Sequence, residues 1–136
     1  MATPDELRAQ IAEGRAAFRG AREGAAEGWD EHPEGDEWTR RETAEHTINI
    51  DYVFAAWGER LRGAEPTYTE SPDLSLASAA EALEAFAASS AHSDAAWAEV
   101  TAEQLEGEIR EGIGGEYGMS LVGTHLHDHA QQISAS

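Results

Sequence analysis

Residues 121–133 read LVGTHLHDHAQQI, and the interpretation of the whole chain starts from this stretch. Its apolar residues recur at intervals of three and four, which is typical of one face of an α-helix; they are Val122, Leu126, Ala130 and Ile133. On such a helix His125 and His129 lie one turn apart, at the border of the apolar face. His127 then points away from both, because a helix does not bring alternate residues to one face. We expect His127 to be exposed, like His32 and His92.

Two imidazoles one turn apart can hold a single divalent metal ion. A third ligand must come from elsewhere in the fold, and His46 is the candidate, on the apolar stripe of an earlier helix. Three neutral imidazoles suit one divalent Zn, Ni or Fe ion and leave coordination positions open, as catalytic sites do. Gln132, near the next turn, is a candidate to hydrogen-bond a ligand or a bound water. Each histidine also has a simpler interpretation, as a core side chain whose nitrogens are hydrogen-bonded or as a side chain exposed to solvent.

Two helices are predicted in the first half of the chain from capping signals and helical spacing. The first begins at Thr3-Pro4-Asp5-Glu6, and its glycines leave its end open. A loop follows at residues 28–37. The second begins with the capping pair Thr39 and Glu42 and ends by Gly63 and Pro66. Its stripe, which we expect to face the core, consists of Thr43, His46, Ile50, Val53, Trp57 and Leu61.

In the second half of the chain, the sequence predicts a loop at residues 67–74 and a third helix over about residues 75–100. The inner face of that helix is expected to include Leu76, Ala80, Leu83, Ala87, Ser90 and Trp97. A long connection, residues 101–118, then leads to a final helix that begins near Met119 or Ser120. No segment alternates convincingly with a period of two, so we expect one all-α domain over residues 1–136, a four-helix bundle.

The charge and composition of the chain argue against several classes of function. The chain has 27 acidic and 9 basic residues, all of the latter arginine, and a formal net charge of −18. A field of that sign repels phosphates and anionic lipids, so we expect no binding to nucleic acid or membranes. Without cysteine, a disulfide, a thiolate metal site and a cysteine nucleophile are excluded. The N-terminal residues lack a signal-peptide pattern, and we expect a soluble cytoplasmic protein.

Two stretches resemble the DinB-like superfamily of metal-binding four-helix bundles. Residues 38–46, WTRRETAEH, are similar to the start of that family's second helix, where Trp-Ser/Thr-x-x-Glu precedes the first metal histidine. Residues 125–133 are similar to its closing His-x-x-x-His-x-x-Gln-Ile pattern. The long connection also resembles the family's linker between helices three and four.

The resemblance implies a four-helix bundle with long crossover loops, a metal centre formed by His46, His125 and His129, and a homodimer. Characterised relatives include S-transferases that use bacillithiol, mycothiol or glutathione, and a mycothiol-dependent maleylpyruvate isomerase. It therefore implies a thiol S-transferase that acts on a small-molecule thiol and an electrophile.

The residues alone leave other functions open. A hydrolase that activates water on the metal would use the same histidines, and so would a non-catalytic metal- or ligand-binding bundle, such as a stress-linked sensor or scaffold. An inert bundle with histidines in its core is the remaining alternative. Arg40, Arg41 and Arg110 are candidates to meet an anionic thiol, by sequence position only, and surface salt bridges are their ordinary role.

Overall fold

The computed structural model describes residues 2–24, 27–33, 36–66 and 74–134. In chain order its elements are α1 (Pro4–Gly24), α2 (Arg40–Leu61), α3 (Ala79–Ala98), α4 (Ala102–Leu105), β1 (Glu108–Arg110), β2 (Ile113–Gly114) and α5 (Gly115–Ser134). The two strands pair antiparallel as a small hairpin. Most of the loop predicted at residues 67–74 lies outside the described residues.

The four long helices form a closed ring of neighbours, which confirms the predicted bundle. Helix α1 packs against α5 and α3, and α2 packs against α3 and α5. Within the described ranges, α1 with α2 and α3 with α5 make no extensive contact, so these pairs lie diagonally across the bundle. The α1–α2 and α3–α5 connections therefore cross the bundle, as the long loops predict. No helix in the described part of the chain is long and apolar enough to cross a membrane.

Helix α2 begins where its capping signals predict. The Thr39 hydroxyl accepts a hydrogen bond from the Glu42 backbone N–H, and the Glu42 carboxylate accepts one from the Thr39 N–H. Together these bonds satisfy two backbone donors that a helix start leaves without a partner. Helix α3 begins later than the expected residue 75, because the Ser78 side chain caps it by accepting from the Glu81 N–H.

The connection predicted over residues 101–118 is wrong in two respects. It contains α4 and the hairpin, and α5 begins at Gly115 instead of near Met119. A Cβ atom at Gly115 would lie 2.7 Å from the Leu105 carbonyl oxygen. Glycine there permits close packing of α5 on α4, a tertiary reason that outweighs its low helix propensity.

The predicted core stripes of α2 and α3 are confirmed only in part, since Thr43 and Trp57 on α2 and Ser90 and Trp97 on α3 are buried. The fully buried α2 side chains include Ala44, Thr47, Ile48 and Asp51, whereas His46, Ile50 and Val53 are half-buried. On α3, Phe86 lies in the core while Leu83 is 37% exposed. The half-buried stripe of α2 borders α5 instead, which is where His46 meets the other two histidines.

A buried ionic network ties α1, α2 and α3 together. Arg15 Nη1 donates to Asp51 Oδ2 at 3.0 Å, and the two side chains are 6% and 2% exposed. Arg15 Nε also donates to Asp94 of α3 at 2.8 Å, and the Ser89 hydroxyl donates to Asp51 at 3.0 Å. Burial raises the pKa of Asp51, and the Arg15 guanidinium opposes that rise. Sequence analysis does not predict this network, because charged residues are rarely core residues.

We expect Arg15→Met to destabilise the fold by about 3–5 kcal/mol, because it leaves the Asp51 carboxylate buried without its positive partner. Urea denaturation measures the free energy of unfolding. Arg19→Met removes the same charge at an exposed position of α1 and is expected to cost no more than about 0.5 kcal/mol. The double variant Arg15→Met/Asp51→Leu should recover part of the loss; equal stability of the two single variants would contradict the role given to the pair.

Candidate metal centre

Three imidazoles from two antiparallel helices converge at one end of the bundle. His46 lies in the second turn of α2, and His125 and His129 lie in the second half of α5. His125 Nε2 is 3.2 Å from His46 Nε2 and 2.9 Å from His129 Nε2. All three side chains are half-buried, and their ligand atoms lie within 4.8 Å of one another.

These separations fit a single ion. Imidazole nitrogens bind Zn²⁺ at about 2.0–2.1 Å, so two of them lie about 2.9–3.4 Å apart when the angle at the ion is between a right angle and a tetrahedral one. The separations between His125 and the other two rings fall in or at the edge of that range. The three predicted ligands are therefore brought together as one metal ion would require, although hydrogen bonds between imidazoles can have the same lengths.

Helix α5 is held against α2 by a cap at its C-terminal end. Arg40, in the first turn of α2, donates from Nε to the Ile133 carbonyl oxygen at 3.1 Å and from Nη1 to the Gly28 carbonyl oxygen at 3.1 Å. The last carbonyls of a helix lack partners within it and carry partial negative charge, so a guanidinium there is favourable. This contact sets the register in which His46 faces His125 and His129.

Gln132 connects His129 to a carboxylate that is distant in sequence. The Gln132 side-chain oxygen contacts His129 Nδ1. Its amide nitrogen donates to Asp36 Oδ2 at 3.2 Å, and Asp36 Oδ1 accepts from the Trp38 backbone N–H at 3.0 Å. Sequence analysis identifies Gln132 but misses Asp36, because a contact across 96 residues leaves no local signal.

This chain of contacts determines which nitrogen of His129 carries the proton. A carboxylate can only accept, so the NH₂ group of Gln132 faces Asp36 and its oxygen faces His129. That oxygen also only accepts, so His129 carries its proton on Nδ1. The lone pair on Nε2 is then directed at the other two histidines, as a metal ligand requires.

The electrostatics of the cluster favour neutral imidazoles. Burial lowers the pKa of His125 to about 3, with further contributions from the positive charges that His129 and His46 would carry. Burial likewise lowers the pKa of His46, followed by repulsion from protonated His129. Because a metal ion binds only the deprotonated ring, these two ligands need not lose a proton at neutral pH.

Aromatic rings flank the histidines on two sides. The Trp38 ring lies 5.0 Å from the His46 ring centroid and stacks at 6.4 Å on His129, and Trp38 is 38% exposed. On the other side, the Phe54 ring meets the His125 ring edge-on at 5.5 Å. The centre therefore borders solvent beside one ring and an apolar region beside the other.

The remaining candidates lie elsewhere. His127 and His32 are exposed, as predicted, but the prediction of an exposed His92 is wrong, because it is half-buried with its ring 5.6 Å from that of Tyr52. Arg41 pairs with Glu45 and Asp30. Arg110 lies over the Trp57 ring at 5.9 Å, so among the three arginines only Arg40 contacts the end of α5 that carries the centre.

The family model of the DinB superfamily matches residues 6–133. The chain belongs to the DinB superfamily. Neither the curated proteins nor the solved structures contain a significant match to it. The match spans all four long helices and the three histidines, and it agrees with a bundle whose three-histidine group could hold a metal ion.

For this DinB-superfamily chain we expect Gln132→Ala to weaken Zn²⁺ binding by about 10- to 100-fold, the usual effect of removing a partner that orients a ligand. Asp36→Asn should also weaken it. The Asp36 carboxylate accepts two hydrogen bonds, and an amide in its place must turn its NH₂ group toward one of the two donors. Competition with a chromophoric chelator measures the affinity.

Matched controls separate this effect from general changes of helix or charge. Gln131→Ala removes the same amide at an exposed neighbour, and Glu84→Gln removes one negative charge at an exposed position of α3, away from the centre. Both should bind Zn²⁺ like the unmodified protein. If Gln132→Ala and Asp36→Asn behave like these controls, the contacts behind His129 do not tune metal binding.

Proposed function

We propose that this protein is an enzyme dependent on a divalent transition metal, held by His46, His125 and His129, that transfers a low-molecular-weight thiol to an electrophile. The observation that carries the proposal is the convergence of the three Nε2 atoms at a half-buried position. A closed structural site would use four protein ligands, whereas three leave room for a substrate.

The donor set favours a negatively charged ligand. It consists of three imidazoles and no carboxylate, so the protein ligands leave the two positive charges of a bound ion uncompensated. Such an ion stabilises a thiolate near neutral pH and so supplies a nucleophile. In the transfer, the thiol loses its proton to solvent and the sulfur lone pair forms the new C–S bond. The leaving group departs with the electrons of the bond that breaks.

The residues of this chain perform the supporting tasks. His46 and His125 offer neutral nitrogens, Gln132 and Asp36 keep the His129 proton on Nδ1, and Trp38 covers the rings where they approach solvent. The hydrolase and the non-catalytic metal-binding bundle remain alternatives that use the same histidines. A homodimer, a cytoplasmic location and the absence of nucleic-acid and membrane binding stay predictions.

Elemental mass spectrometry should find one transition-metal ion per chain in the unmodified protein. Binding should be lost in His46→Ala and His129→Ala, because two imidazoles alone hold the ion weakly. His127→Ala, which removes an exposed histidine from the same helix, is the control and should keep the ion. If the protein takes up neither Zn²⁺ nor Ni²⁺, the proposal that it is a metalloenzyme is wrong.

Substitution with Co²⁺ then tests the thiol. A low-molecular-weight thiol added to the Co²⁺ protein should produce a sulfur-to-cobalt charge-transfer band in the near ultraviolet. The band should be absent in the two alanine variants and present in His127→Ala. A protein that holds the ion but shows no such band with bacillithiol, mycothiol or glutathione is not a thiol transferase, and the two alternatives would remain.

A further inference from the structure

A groove of about 340 Å³ runs between α2 and α5 beside the histidine cluster. Helix α2 lines it with four apolar side chains that share one face over two turns, Ile50, Val53, Phe54 and Trp57. Helix α5 contributes Leu121 and Thr124 before the groove reaches His125. The α2 side of this lining contains three of the six residues of the stripe that sequence analysis assigned to the core, Ile50, Val53 and Trp57.

The groove and the candidate metal centre are adjacent. His125 belongs to both, since its Nε2 faces the other two histidines and its ring packs edge-on against Phe54 at 5.5 Å. Phe54 in turn lies 5.2 Å from Trp57, farther along the groove. A molecule that lies on these rings therefore reaches the edge of the cluster.

The size and shape of the groove fit a small molecule. Apolar cavities of about 150 Å³ hold benzene, so this groove has room for a substituted ring. A second copy of the chain would need a broad exposed apolar patch. The exposed large apolar residues of the described chain, Trp38, Leu83 and Tyr117, do not line the groove. Two copies would also each bring a net charge of −18.

The charge at the His125 end of the groove disfavours anions, whereas the Arg110 guanidinium lies over Trp57 at the other end. Asp128, which is exposed, lines the groove one turn beyond Thr124. Its carboxylate repels a negatively charged ligand at the His125 end. The rest of the lining named above is aliphatic or aromatic apart from the Thr124 hydroxyl, so there is little to bind a charged group in place of water.

We propose that this groove binds the apolar body of the electrophilic co-substrate, an uncharged compound with a single aromatic ring or a branched alkyl group. The role of the ligand as a co-substrate rests on the proposed function, whereas the binding site itself does not require the metal. The groove would place the electrophilic carbon beside the cluster, where the thiolate forms.

Fluorine NMR of 4-fluorotoluene, an unreactive ring of this kind, tests the site on metal-free protein. We expect saturable binding that is at least ten-fold weaker in Thr124→Trp, because an indole introduced at this exposed position fills the groove. Leu83→Trp adds the same ring on α3, away from the groove, and should bind the probe like the unmodified protein. The anion 4-fluorobenzoate should bind at least ten-fold more weakly than 4-fluorotoluene.

Several outcomes would overturn the site. They are the absence of saturable binding, equal binding by Thr124→Trp and the unmodified protein, and tighter binding of the anion. Sedimentation provides a further test: a dimer that dissociates in Thr124→Trp and excludes the probe would show that the groove is an interface between copies.

Loading with Co²⁺ connects the groove to the centre. The paramagnetic ion should shorten the relaxation time of the bound fluorine, and this effect should vanish in His129→Ala while probe binding persists. Probe binding without uptake of Co²⁺ overturns the proposed function and the co-substrate role, but leaves a ligand site. Uptake of Co²⁺ without probe binding overturns the groove alone.

Discussion

The candidate centre depends on the register between α2 and α5. An α-helix rises about 1.5 Å per residue, so a slip of one turn would move His46 by about 5.4 Å along its partner helix. That is larger than the separations of 2.9–3.2 Å that His125 Nε2 keeps to the two other rings. The Arg40 contact with the Ile133 carbonyl oxygen at one end, and the close approach of Gly118 of α5 to the Trp57 ring of α2 at the other, oppose such a slip.

The polar groups of the interior divide into two sets with different roles. The Arg15–Asp51–Asp94 network joins the three helices away from the centre, and the charges of its buried pair, Arg15 and Asp51, compensate each other. The histidine cluster contains no carboxylate among its ligand atoms, and its rings meet only part of one another's hydrogen-bonding capacity. A buried pair specifies how the helices dock, whereas an uncompensated group of ligands is suited to a cation.

Local signals in the sequence predict much of this arrangement. The spacing of His125 and His129, the apolar face of Val122 to Ile133, and the Thr39–Glu42 cap all act within one or two helical turns. The features that sequence analysis misses depend on tertiary contacts. Asp36 reaches Gln132 across 96 residues of sequence, and the glycines at the start of α5 are helical because of what packs against them. Helix α3 is so rich in alanine that its inner face is ambiguous, which explains the exposed Leu83.

Helix α1 carries none of the three histidines, yet it forms the support behind two of them. It crosses α5 where glycine faces glycine: a Cβ at Gly14 would lie 2.9 Å from the Gly123 carbonyl oxygen, and one at Gly123 would lie 3.0 Å from the Gln10 oxygen. Gly123 lies two residues before His125. A single methyl group at this crossing would push α1 and α5 apart, and any shift of α5 would move His125 and His129 relative to His46. A helix that contributes no ligand can thus influence the spacing between the three histidines.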